Sequence, residues 1–251
     1  MASASVIVPA YRPDSRRLAG YVRKLDARLD LAEIRIELDV PRRGTLDRLA
    51  DLPVTSNAVA ERRGKGAAIT AGFDALDAEV LAFVDADGST PVDEIAAILD
   101  PVTTGSADLA VGSRRHPDAV VESHQTHARR HLGDAFAWLA RRVLDVPLYD
   151  YQCGAKAITA DAWDAVREHV REPGFAWDIE LVTLVGALGR HVEEVPIRWR
   201  DHPKSTVAPV GTSLSMARGL FAARRRARRL RDDRVADALA GDATTRADPH
   251  R

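Results

Sequence analysis

The chain has 251 residues, 45% of them hydrophobic, with a formal net charge of −1 and a single cysteine. That length supports one large core, or a core with a small lobe; the near-zero charge gives no global pull toward nucleic acid, and a lone Cys153 excludes an internal disulfide framework. The cysteine usage suits a reducing compartment, no basic-then-apolar leader opens the sequence and no stretch has the apolar length of a bilayer span, so the expected location is cytoplasmic, free or peripheral on a membrane face.

Residues 5–11 read as a short apolar strand ending in a polar turn. Residues 15–29 place Leu18, Val22, Leu25 and Leu29 on one helical face, and 34–40 alternate as a second strand, punctuated by Pro41-Arg-Arg-Gly44. The linker Arg62-Arg-Gly-Lys-Gly66 is basic and glycine-bearing, so its amides and Lys65 can meet a phosphate where a helix over 67–76 begins. It lacks the spacing of a P-loop, and no G-x-G-x-x-G occurs. A strand over 80–84, a helix over 92–99, a strand over 109–111, an Arg-rich helix over 127–144 and a helix from Trp177 to 188 follow. Strands alternating with helices predict an α/β fold with a doubly wound, mostly parallel sheet and helices on both faces.

The central stretch is Leu81-Ala-Phe-Val-Asp-Ala-Asp-Gly-Ser-Thr90, an apolar run that stops at two carboxylates and a glycine. Asp85 and Asp87 are expected at the carboxyl end of a buried strand, where open α/β sheets place their ligands and where alternate carboxylates can hold a hard cation. The alternative is an acidic turn in which Ser89 or Thr90 caps a helix beginning at Pro91. Asp178 and Glu180 also read as first-turn acids favoured by a helix dipole, His124, His127 and His131 as one solvated helical face, and Cys153 as packing.

No acid interrupts the sequence from Pro203 to Arg231. A basic amphipathic helix over 211–231, with Leu214, Met216, Leu220 and Phe221 as its apolar patch, suits an anionic membrane surface. From Asp232 onward the composition reads as a disordered tail, which divides the chain into 1–210, 211–231 and 232–251.

Val8-Pro-Ala-Tyr11, Gly64-Lys-Gly66, Val84-Asp-Ala-Asp-Gly88, Val111-Gly-Ser-Arg114, Asp150-Tyr-Gln-Cys-Gly-Ala-Lys156, Trp177-Asp-Ile-Glu-Leu181 and Glu194-Val-Pro-Ile-Arg-Trp199 stand in this order. Together they resemble the family-2 inverting glycosyltransferases of the GT-A fold, and within them the dolichyl-phosphate glucosyltransferases. The resemblance implies a metal-dependent transfer of a hexose, glucose favoured, from a uridine diphosphate sugar to a polyprenyl phosphate. It assigns Pro9, Ala10 and Tyr11 to the base, Asp14 to the usual acidic position nearby, Asp39 to base or ribose, and Lys65, Asp85 and Ala86 to the nucleotide. Asp87, with Asp85, becomes the ligand of Mg²⁺ or Mn²⁺. Arg114 and Arg129 become acceptor-phosphate contacts, and Asp150, Asp178 and Glu180 candidate carboxylates beside the acceptor. Lys204 and Ser205 stand in for a loop that folds over the diphosphate. Two departures matter: Leu38-Asp-Val-Pro41 replaces the family's Asp-Asp-Gly-Ser, and Ala155 replaces a phenylalanine, which is expected to widen the acceptor pocket. Guanosine diphosphate mannose as donor, or sugar-nucleotide binding without turnover, are the alternatives. A nucleotidyltransferase is disfavoured, since Pro9-Ala-Tyr-Arg12 lacks its glycine-rich turn.

Overall fold

The computed structural model describes residues 2–122, 127–200 and 209–246. The elements run β1 (Ala4–Tyr11), α1 (Ser15–Arg28), β2 (Glu33–Asp39), α2 (Thr45–Leu49), β3 (Thr55–Val59), α3 (Lys65–Phe73), β4 (Val80–Val84), α4 (Val92–Thr103) and β5 (Leu109–Ser113). They continue with β6 (Val120–Val121), α5 (His127–Val143), β7 (Ala155–Thr159), α6 (Ala160–Val166), α7 (Trp177–Ala187), β8 (Val192–Pro196), β9 (Arg198–Trp199) and α8 (Pro209–Arg246).

Seven strands form one sheet in the order β3-β2-β1-β4-β7-β5-β8. All its strands are parallel except β7, which inserts antiparallel between β4 and β5. The strand period of two sorts the core into two layers. Val6, Val8, Ala82, Val84 and Ala110 face α1 and α4, whereas Ile7, Leu81, Phe83, Leu109 and Ile158 face α3, α5, α6, α7 and α8. The doubly wound, mostly parallel sheet with helices on both faces is the architecture the alternating pattern predicts. On the second layer Phe73, Phe83, Trp163 and Trp177 meet at tilted or edge-on angles, with Trp177 Nε1 donating to Thr70 Oγ1 at 2.9 Å and so fixing α7 to α3.

Three strands of this sheet escape the apolar-run criterion for physical reasons. β3 is a half-exposed, polar edge strand, β8 is an edge strand carrying Glu193 and Glu194, and β7 has its apolar run broken by the buried Lys156.

The C-terminal helix departs most from expectation. From Trp177 to Val185 every residue of α7 is buried, so this helix must be covered on its outer side. α8 supplies the cover: Met216, Leu220, Ala223 and Leu230 belong to the main core, and Gly219 lies so close to Ala176 that a Cβ there would stand 2.3 Å from the Ala176 Cβ. Met216 and Leu220, read as part of a membrane-facing patch, are therefore core residues, and Phe221 is the exposed one; the Leu214 side chain lies outside the described residues. The helix also continues to Arg246, through most of the segment whose composition reads as a disordered tail.

Candidate active site

β1 and β4 are neighbours, and from β1 the chain winds outward through β2 and β3 before returning to β4. This is a topological switch point, and the crevice beyond its carboxyl ends is the binding position in open α/β sheets. The turn after β4 presents the two carboxylates there. The Asp85 amide donates to the Gly154 carbonyl at 2.8 Å, Asp87 Oδ1 accepts the Ser89 amide at 2.9 Å, and Gly88 takes φ +68°. Asp87 is exposed. A Cβ at Gly154 would stand 1.8 Å from Asp85 Oδ2, so a side chain there would displace the carboxylate.

Tyr11 ends β1 exposed at the crevice, with the Arg62 guanidinium 4.3 Å above its ring. Pro9 and Ala10 precede it within the strand. Asp14 caps α1, accepting the amides of Arg16 and Arg17 at 3.1 Å. Asp39 is buried and turned toward the basic linker: Oδ2 accepts the amides of Arg63 and Gly64 at 2.8 and 3.1 Å, and Oδ1 accepts Arg63 Nε at 2.8 Å. These contacts shape the turn that delivers Lys65.

Lys65 opens α3 and sets its ammonium 3.0 Å from Asp85 Oδ1 and 3.3 Å from Asp178 Oδ2. Burial opposes the charge, yet Asp178 and Asp85 outweigh it and hold the ammonium above its ordinary pKa. Lys156, buried in β7, donates to the other Asp178 oxygen at 2.6 Å and to the Cys153 carbonyl at 2.8 Å. Asp178, buried, is thus the shared counter-ion of two lysines. Burial, and then the neighbouring Asp87 and Asp178, raise the Asp85 pKa against the opposing pull of Lys65.

A second charged pair lies at the end of β5. Arg114 Nε and Nη2 bind Asp150 Oδ2 and Oδ1 at 2.6 and 3.0 Å, a bidentate fork. Glu194 on β8 anchors the loop, accepting the amides of Tyr149 and Asp150 at 2.8 Å each. Burial opposes ionisation of Asp150, but the Arg114 guanidinium overrides it and holds the carboxyl at about 2. A carboxylate so paired is no general base; Asp150 aims Arg114, whose Nη1 has no hydrogen-bond partner among the described residues. The stack of Arg114 on Trp199, at 5.5 Å, fixes the guanidinium plane from the other side. Cys153 is fully buried and its thiol is pushed up to about 12 by burial, consistent with packing.

Ala155 lies wholly inside the sheet, paired with Val84, and widens no pocket. Arg129 sits on α5, but its side chain lies outside the described residues, as do Lys204 and Ser205 altogether. Residue-type reasoning gave no role to Lys156, Glu194 or Arg62. Lys156 and Glu194 stand inside quoted motifs, and a buried lysine or glutamate becomes informative only when its partner is known.

Among the described residues no group of three or more His, Cys, Asp and Glu side chains is arranged to hold a metal ion. The donor set is two carboxylates, one exposed, at the mouth of a crevice. That suits a hard cation which keeps water and phosphate oxygens in its shell, as Mg²⁺ does, and fits poorly with an all-protein cage.

A family model described as Glycosyl transferase family 2 matches residues 5–159, from β1 through β7. The chain belongs to glycosyl transferase family 2. Within this family it is 29% identical over 216 residues to a dolichyl-phosphate beta-glucosyltransferase of Trichomonas vaginalis, covering 78% of this chain and 63% of the relative. It is 31% identical over 160 residues to a polyprenol monophosphomannose synthase of Mycolicibacterium smegmatis, covering 62% and 60%. The chain spans 25% and 63% of the length of two curated relatives it matches. The glucosyl-3-phosphoglycerate synthase of Mycobacterium tuberculosis, solved with Mn²⁺, uridine diphosphate and glucosyl-3-phosphoglycerate, superposes with a TM-score of 0.67 at 17% identity, covering 88% of this chain and 80% of that one. That likeness shows the GT-A fold.

Proposed function

We propose that this protein transfers a hexose, glucose favoured, from a uridine diphosphate sugar to a polyprenyl phosphate, with inversion at the anomeric carbon. The observation that carries the reading is the pairing of Asp85 and Asp87 at the carboxyl end of β4 with Lys65 at the start of α3. Asp87 and Asp85 would hold Mg²⁺ or Mn²⁺, which would neutralise charge on the departing nucleotide diphosphate. Lys65 adds a positive charge beside them at the start of α3. Tyr11 offers an aromatic face to the base.

The acceptor phosphate is already an anion at neutral pH. Its oxygen forms the new bond to the anomeric carbon as the bond to the diphosphate oxygen breaks, and no general base is required. The chain's task is to position that phosphate. Arg114, aimed by Asp150 and Trp199, supplies the guanidinium for it, and Arg129 is the second candidate. The buried Asp178 stabilises the lysines and takes no part at the anomeric carbon. Arg225, Arg228 and Arg229 with Phe221 line the outer face of α8, which supports peripheral binding to an anionic, cytoplasmic-facing bilayer surface where such acceptors lie.

Incubating the protein with Mn²⁺, a short polyprenyl phosphate and either UDP-glucose or GDP-mannose tests the reading. Glucosyl lipid formed from UDP-glucose is expected. Mannosyl lipid formed from GDP-mannose alone would replace the donor assignment with the second reading, which the similarity to the polyprenol monophosphomannose synthase favours. Nucleotide binding with no transfer from either donor would overturn the enzyme reading.

A further inference from the structure

Glu180 is buried at 1% exposure, yet it contacts neither the carboxylate pair nor the Arg114 fork. One of its oxygens, Oε2, accepts the amides of Arg171 and Glu172 at 2.9 and 2.7 Å; the other binds the Arg226 guanidinium of α8. The loop held in this way runs directly into the turn that carries Lys65. The Pro173 carbonyl accepts the Ala67 amide at 3.1 Å, and the carbonyls of Pro173 and Glu172 press on Gly64 and Gly66 so closely that a Cβ at either glycine would stand 2.4 or 2.5 Å from an oxygen. Lys65 lies between those glycines, and Asp39 fixes the same turn from the opposite side.

We propose that Arg226 is a positioning residue for Lys65: through Glu180 and residues 171–174, the seating of α8 sets where the Lys65 ammonium stands against Asp85. The proposal deepens the donor-site reading and rests on it. Its physical content is a contiguous path of one ion pair, two backbone hydrogen bonds to a carboxylate and one between backbones, anchored on the buried Glu180. Arg231 provides an internal control. It also ties α8 to the domain by an ion pair, to Asp145, but has no contact with the 171–174 loop.

The test compares Arg226→Met, Arg226→Lys and Arg231→Met in the full chain. Calorimetric UDP binding with Mn²⁺ is expected to weaken about five- to tenfold in Arg226→Met, to recover largely in Arg226→Lys and to stay unchanged in Arg231→Met. Hydrogen exchange of the Ala67 amide in the unliganded protein, which requires no donor, is expected to quicken in Arg226→Met alone. Equal UDP affinity and equal Ala67 protection in wild type and Arg226→Met would overturn the proposal, as would equal losses in Arg226→Met and Arg231→Met. Failure of the wild type to bind UDP, with Ala67 exchange still responding to Arg226→Met, would instead remove the donor reading and leave the path intact. Should Arg226→Met not fold, Arg226→Gln, which keeps a hydrogen-bond donor without the charge, carries the same comparison.

Discussion

The two ends of the crevice use paired charges in opposite ways. At the β4 end two lysines share two acids, Asp85 and Asp178, and the third acid, Asp87, stays exposed with its backbone turn already made. At the β5 end one acid is buried and paired with one arginine, whose Nη1 has no hydrogen-bond partner among the described residues. The first arrangement presents negative charge to a cation; the second presents a fixed cation to an anion. Burial decides between them. An acid of 2% exposure such as Asp150 persists ionised only if fully paired, while an exposed one can wait for a ligand.

Loss of the exposed acid should have the largest effect. Asp87→Asn, which changes charge and barely volume, is expected to lower Mn²⁺-dependent transfer by more than about a hundredfold with little change in melting temperature; comparable turnover at limiting Mn²⁺ would erase the contrast between the two ends. Asp150→Asn leaves a half-buried guanidinium without its counter-ion instead, so its primary expected effect is on stability, about 1–3 kcal/mol by denaturant unfolding.

The same substitution should change the acid limb. A carboxyl at about 2 in the folded state, against an unfolded value near 4, contributes stability above pH ~4 that is lost as pH falls through ~2. Wild-type stability should therefore fall through this window more steeply than that of Asp150→Asn. Gly154→Ala should cost about 1–3 kcal/mol and weaken metal binding through displacement of Asp85, as read by melting temperature and Mn²⁺ titration. Arg114→Lys, which keeps charge but loses the fork, should raise the acceptor KM severalfold and leave the donor KM unchanged; movement of the donor KM alone would transfer Arg114 to the diphosphate.

Much of this was legible in the sequence. The apolar run ending in Asp85 and Asp87 is a buried strand meeting a ligand crevice, and a five-residue strand of aliphatic and aromatic side chains has few alternatives. Asp150 and Asp178 were legible as important acids but not in their roles. A carboxylate's job depends on which cation faces it, and Arg114 and Lys156 lie 36 and 22 residues away from their partners. The C-terminal helix is only partly legible for a related reason, since Met216 and Leu220 are buried and Phe221 is exposed. An arginine-rich helix with an apolar stripe looks the same whether the stripe meets lipid or protein, and what decides is α7, a helix buried on every side from Trp177 to Val185 that requires a cover.

The most direct test of the assignment of the β4 end is calorimetric titration of UDP into wild type and Asp87→Asn, each with and without Mn²⁺. Tight binding by the wild type only when Mn²⁺ is present, with that metal-dependent gain absent from Asp87→Asn, is the expected result. UDP affinity indifferent to Mn²⁺ in the wild type, or a gain retained in full by Asp87→Asn, would contradict it.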